Sequence, residues 1–202
     1  MTAPAMSALD AIYHRRATRA FTAAPVGDDA IGELLRAAIH APTAMHAEPW
    51  LFAIVQDRAL LARISDRTKA MLATPSGDDH HGLARHPESR LPAIFTAPGF
   101  DIFYGAGTLV AIGTRAPGGF AVADCWLAAQ NLMLAATALG LATCPIGVAA
   151  LALNDPAIKE AVGIPEDVTV VAPIIVGVAA GAPTPASRRA PVIVSWRRPR
   201  AP

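Results

Sequence analysis

The sequence predicts one domain in which α-helices and short buried β-strands share a core. At 202 residues it has the size of one ordinary domain that buries its core without disulfides. Apolar residues recur at helical spacing in several segments. Short apolar runs bounded by proline, glycine or aspartate read as buried strands.

Ser7, followed three residues later by Asp10, gives a weak capping box, and Leu9, Ile12 and Tyr13 give the first helix an apolar stripe. It is expected to end near Arg16. Asp28 and Asp29 offer caps for a second helix, in which Ile31, Leu34, Leu35, Ala38 and Ile39 repeat until Pro42 stops it. Trp50 to Val55 reads as a buried strand, with a third helix from about Arg58 to Leu72. Residues 74–92 hold three prolines, charges and histidines, and read as a surface loop or lid. Thr108 to Thr114 is a strand. Asp124 to Leu139 reads as the strongest helix, capped by Asp124, stopped by Gly140 and apolar almost all round. Such a helix belongs in a core or across a subunit interface. Asp155-Pro156 starts another helix to about Val162, and Thr169 to Val178 is a buried strand interrupted by Pro173. Residues 179–202, rich in proline and arginine, cannot form a core of their own and should lie extended along something else.

Composition narrows the function classes. A hydrophobic fraction of 53% against 16% charged residues is apolar for a monomer, which points to surface covered by another subunit. The net charge of +1 argues against a nucleic-acid binder. Cys125 and Cys144 are too few for a disulfide framework and lack zinc-ligand spacing, so buried thiols in a reducing compartment are expected. Met1 to Ser7 has neither the charged nor the apolar region of a signal peptide, and cytoplasmic residence fits. The uncharged runs Leu132 to Leu153 and Val168 to Ser187 are long enough to span a membrane, but glycines and prolines break both.

Three segments carry candidate chemistry. Arg15-Arg16-Ala17-Thr18-Arg19-Ala20-Phe21 clusters three guanidiniums at a helix end, either as a solvated end favoured by the helix dipole or as an anion site. Ala41 to Trp50 (APTAMHAEPW) is a polar loop between two prolines, with His46 and Glu48 as its titratable groups. Leu139 to Gly147 (LGLATCPIG) is either an ordinary helix-to-strand loop or a small-residue turn whose N–H groups meet a flat ligand. His80, His81 and His86 with Asp78 and Asp79 lack convergent metal spacing.

Taken in order, RRATRAF, APTAMHAEPW and DCWLAAQNLMLAATALGLATCPIG resemble the nitroreductase family of FMN-dependent oxidoreductases over nearly the whole chain. The resemblance implies an α+β fold: a central mixed or antiparallel sheet flanked by helices, in an intertwined homodimer with the apolar helix at its interface. Residues 1–202 would form one FMN-binding domain, with 179–202 as an arm embracing the partner. It implies FMN held by Arg15, Arg16, Ala17 and Arg19, by Thr43, Ala44 and His46, and by Pro145, Ile146 and Gly147. Either Arg188 or Arg189 from the late chain would reach the phosphate. Arginine suits bidentate phosphate contact, and the Gly147 N–H would lie near flavin N5. No protein side chain need be a nucleophile, Cys144 included.

The implied activity is hydride transfer from NAD(P)H through flavin N5 to a small nitroaromatic or quinone-like acceptor, with ping-pong kinetics. Family members often carry serine in place of Ala17, asparagine in place of His46 and glutamine in place of Glu48. A protonated His46 would favour reduced anionic flavin, and an ionised Glu48 would disfavour it. These departures leave dehalogenation or ring oxidation open, with Arg85 and Arg90 available to charged substrates. A non-catalytic flavin-sequestering protein is the alternative from another class. No Rossmann fingerprint is present to choose between NADH and NADPH.

Overall fold

A computed structural model describes residues 6–73, 97, 99–182 and 187–198. In chain order its elements are α1 (Ala8–His14), α2 (Asp28–Ala38), a 3-10 turn (Ala44–His46), β1 (Leu51–Val55), α3 (Arg58–Ala73), β2 (Thr108–Thr114), α4 (Gly119–Ala138), β3 (Ala142–Pro145), α5 (Ala149–Leu153), α6 (Pro156–Val162) and β4 (Thr169–Gly177). The strands form one antiparallel sheet in the order β1-β2-β4-β3. The expected α+β class is what forms.

Helices cover both faces of the sheet, and two apolar clusters result. Leu61 and Ile64 of α3, Leu153 of α5 and Ile158 of α6 pack with Leu109, Ala111 and Ile175 on one face. Leu34 of α2 and Leu132 of α4 pack with Val110, Ile112, Ile174 and Val176 on the other. Every residue of β2 is buried, so its sequence shows no polar alternation. A bulge between Ile112 and Gly113 bends the β2–β4 ladder, and there a side chain at Gly113 would come within 2.7 Å of the Thr169 carbonyl oxygen.

Pro173 lies in the interior of β4, opposite Ala111. Its carbonyl accepts the Ile146 N–H at 2.9 Å, so it faces the β3 side. In an antiparallel ladder a residue's N–H and C=O address the same neighbour. The missing N–H therefore falls where β3 ends, and β2 loses no ladder bond. Further along, Asn154 exchanges two hydrogen bonds with the Val170 backbone, at 2.8 and 2.9 Å, past the end of β3.

Several expectations are corrected. α1 stops at His14, and Leu9, Ile12 and Tyr13 are exposed while Ala11 is its buried residue. Ser7 does cap it, accepting the Asp10 N–H at 3.1 Å. Gly27 is the N-cap of α2, with Asp28 and Asp29 in its first turn. α4 begins at Gly119, so Asp124 is an internal, buried residue and not a cap. β3 and α5 are unexpected, because Gly140, Pro145 and Gly147 read as breakers of any regular element. The Leu132–Leu153 run is thereby divided among α4, β3 and α5. α4 is long and apolar enough to cross a membrane by length and composition, yet it packs between the sheet and α2, where Asn131 donates to the Ala37 carbonyl. Both cysteines are buried, as expected, and burial raises the Cys125 thiol to about 11.

α6 starts on Asp155, whose carboxylate accepts the Ala157 N–H at 3.0 Å and both Nε and Nη2 of Arg67 from α3. The Arg67 bond holds the carboxyl below its ordinary value of 3.8. A carboxyl with a depressed folded pKa stabilises above its unfolded pKa and loses that contribution as pH falls through the folded one. Because Arg67 is half exposed, Arg67→Ala should cost no more than about 1 kcal/mol near neutrality. In urea unfolding, the gap between this variant and the unsubstituted protein should persist above pH 3.8 and close in stronger acid.

Candidate functional site

Arg15 ends α1 with extended backbone, at φ −55° and ψ 128°, and the chain runs on beside the sheet edge. Ala17 forms a parallel bridge with Thr143 of β3, and the Thr18 N–H donates to the Thr143 carbonyl at 3.0 Å. The arginines therefore do not converge on a helix face. In extended chain, Arg15 and Arg19 share one side and Arg16 takes the other. The Arg16 guanidinium folds back onto the Tyr13 and Arg15 carbonyls, closing the end of α1.

Arg15 and Arg19 instead flank Cys144. Burial pushes its thiol up, and the two guanidiniums oppose that shift. Arg19 also lies against Tyr104, whose phenol burial likewise raises. Tyr104 sits at φ +55° in a turn pinned by Asp101, whose carboxylate accepts the Phe103 and Gly105 N–H groups at 2.9 Å each.

The turn beyond β3 completes this edge. Ile146 donates to Pro173, but the N–H groups of Gly147 and Val148 have no partner among the described residues. Gly147 is exposed, and a Cβ placed on it would meet nothing within 4 Å. The Thr143 hydroxyl is buried without a partner among the described residues. The Ala17–Thr143 bridge thus brings the arginine segment against β3, and the turn of Pro145, Ile146 and Gly147 follows at the end of that strand. Next to the turn, Pro117, Val122 and Trp126 join Gly147, Ala150 and Thr169–Val171 around an apolar cavity of about 500 Å³.

Thr43, Ala44 and His46 belong to a second group. Asp124, buried within α4, accepts the Thr43 hydroxyl at 3.0 Å and the Ala44 N–H at 3.2 Å. The Thr43 oxygen in turn accepts the Glu48 N–H at 3.0 Å. Among the described residues the loop's hydrogen bonds run to α4 and within itself, and none reaches the arginine segment. Ala44 also gives its carbonyl to the Ala47 N–H, leaving only its methyl for a ligand. Met45, His46 and Glu48 have φ of 55°, 53° and 43°, a left-handed conformation costing roughly 1–3 kcal/mol per non-glycine residue. Met45 is 95% exposed, and His46 and Glu48 are exposed beside it.

Arg188 and Arg189 are exposed, and Arg188 donates to the Ser187 carbonyl. The expected lid at 74–92, with its histidines, Arg85 and Arg90, lies outside the described residues. Among the described residues no group of side chains could hold a metal. Sequence reasoning missed Asp124, although a lone carboxylate in a helix of 20 otherwise uncharged residues is a visible signal.

Comparison with known proteins matches residues 12–178 to the family model of the nitroreductase family. Two archaeal relatives bear the name "Putative NADH dehydrogenase/NAD(P)H nitroreductase". The one from Archaeoglobus fulgidus is 28% identical over 84% of this chain and 83% of its own, and the one from Methanothermobacter thermautotrophicus is 31% identical over 81% and 72%. Among solved structures, a nitroreductase with bound FMN from Bacteroides fragilis superposes with a TM-score of 0.77 at 26% identity, covering 95% of this chain and 99% of that one.

Proposed function

Because the chain belongs to the nitroreductase family, we propose that it is an FMN-dependent oxidoreductase that takes reducing equivalents from NAD(P)H and passes them to a small nitroaromatic or quinone-like acceptor. The observation that carries this reading is the sheet edge on which Arg15 and Arg19 lie near Cys144 of β3, followed by the turn whose Gly147 and Val148 N–H groups have no partner among the described residues.

The residues present suit the cofactor. Two guanidiniums not spent on α1 match a phosphate dianion, open backbone donors match a flat ring with acceptor atoms on its edge, and the unpartnered Thr143 hydroxyl leaves a polar group to be satisfied. When bound, FMN supplies a centre that accepts a hydride and gives it up again. Arg15 and Arg19 hold the phosphate, with Arg16 fixing the end of α1 behind them. Gly147 lets its turn approach the ring and donates its N–H there. The loop that carries Thr43, Ala44 and His46, tied to Asp124 through the first two, would meet the ring's polar edge beyond them. Nicotinamide and acceptor would use the same open face in turn, which predicts ping-pong kinetics.

The working form is a homodimer in the cytoplasm. Leu9, Ile12 and Tyr13 of α1 and Phe120 and Leu127 of α4 are exposed apolar residues that a second copy would cover. Val192, Val194 and Trp196 expose most of their surface on the tail, which would lie along the partner as an arm and bring Arg188 or Arg189 to its phosphate. Purified, FMN-loaded protein should lose its visible flavin absorbance when NADH or NADPH is added without oxygen, and regain it on adding a quinone. Unchanged absorbance with both nicotinamides would make it a flavin-binding protein without this activity.

A further inference from the structure

We propose that Asp124 is a positioning residue, which locks the loop at 43–48 so that the Met45 N–H donates to the polar edge of a bound flavin ring. The inference rests on the FMN reading above and deepens it. It starts from an unusual placement: Asp124 is the one charged residue of α4, it is 4% exposed, and its neighbours along the helix face a hydrophobic core. Burying a carboxylate there is costly, and an apolar side chain of similar volume would serve stability as well or better.

What the carboxylate does, and a hydrocarbon cannot, is gather the loop's donors. It accepts the Thr43 hydroxyl and the Ala44 N–H, and through the Thr43 oxygen it reaches the Glu48 N–H. The chain between these anchors is held at positive φ at Met45 and His46. Left-handed backbone persists at such residues only when the surroundings over-determine it. With Ala44 and Thr43 tied to Asp124 and Glu48 tied to Thr43, the loop has no slack to relax.

The consequence is one open donor, the Met45 N–H, next to the anchored Ala44. Among the described residues the Met45 N–H donates to nothing, while those of Ala44, Ala47 and Glu48 are engaged and His46 lies within the 3-10 turn. A flavin ring presents carbonyl oxygens and a ring nitrogen on one edge, acceptors that a preorganised N–H group matches. The contact is read from backbone, so the side chains of Met45 and His46 are left free to meet substrate.

The test compares FMN with riboflavin, which has the ring but no phosphate, by fluorescence quenching titration of the full-length protein. Asp124→Asn keeps the volume and one acceptor oxygen but loses the other. It should weaken both flavins by the same factor, about tenfold for a lost charge-assisted bond. Thr43→Val, on the loop and outside the core, should weaken both in smaller measure. Met45→Gly adopts positive φ without strain and should restore most of the affinity in the Asp124→Asn background. Matched loss on the two flavins, with rescue, supports the inference. Asp124→Asn and Thr43→Val proteins that bind both flavins like the unsubstituted protein would overturn it, while leaving the FMN reading intact. An unsubstituted protein that binds neither flavin overturns both. Should Asp124→Asn fail to fold by circular dichroism, Thr43→Val decides alone.

Discussion

Replacing Arg15 and Arg19 together by alanine should lower FMN affinity at least about a hundredfold, since hydrogen bonds to charged groups contribute roughly 1.5–3 kcal/mol each and 1.4 kcal/mol is a factor of ten. Riboflavin, lacking the phosphate, should bind the variant and the unsubstituted protein alike. The FMN affinity of the unsubstituted protein should fall with added salt more steeply than that of the variant, because the partly exposed guanidiniums are screened. Arg16→Ala should behave differently. Its guanidinium is spent on the Tyr13 and Arg15 carbonyls, so its loss should loosen the end of α1 and cost FMN much less. Equilibrium titration of the three variants with both flavins checks all of this. Equal losses from Arg16→Ala and from the Arg15, Arg19 pair would mean that the extended segment does not divide their roles.

Leu132→Ala should destabilise the fold by about 2–5 kcal/mol, the range for truncating a fully buried leucine, which lowers Tm by roughly 4–20 °C in a domain of this size. Leu132 has no exposed surface and sits in α4 among Val110, Ile174 and Val176, where the surrounding strands cannot collapse into the cavity. Leu127, on the same helix, is 43% exposed. In a single chain, Leu127→Ala should stay within about 0.5 kcal/mol. A larger and concentration-dependent loss would identify that surface as covered by a second copy. Differential scanning calorimetry at two protein concentrations reads both substitutions.

Long segments with strong periodicity are legible in the amino-acid sequence itself. The repeat of Leu34, Leu35 and Ala38 marks α2, and Asp155-Pro156 with Gly163 at φ 81° brackets α6. β2 and β4 read directly because buried strands are short apolar runs; β1 is found as a strand but not as the buried one expected, since at the sheet edge only Val55 of it is buried and Ile54 is exposed. β3 does not, since its four residues lie between Gly140 and Gly147 and include Pro145, so local chemistry argues for a turn. Its pairing with β4 supplies the stabilisation that propensity lacks. Asp124 reads wrongly as a cap for a related reason. An aspartate before an apolar run is a good cap, but the helix begins more than a turn earlier, at Gly119, with Gly118 as its N-cap.

The arginine cluster divides along the same line. The amino-acid sequence by itself determined that three guanidiniums gather near the end of a short helix, that a glycine turn follows a long apolar helix, and that the motifs occur in the order of one family. Composition and order along the chain are local properties, and no folding is needed to read them. Tertiary structure alone decided which guanidiniums are available. Arg15 and Arg19 stand together because the Ala17–Thr143 bridge draws the segment out against β3, and Arg16 is turned away because extended backbone alternates its side chains. It likewise decided that a buried carboxylate commits the donors of Thr43 and Ala44. Such pairings join residues 80 or more positions apart, and their energy comes from burial and hydrogen bonding that exist only once the chain has closed on itself.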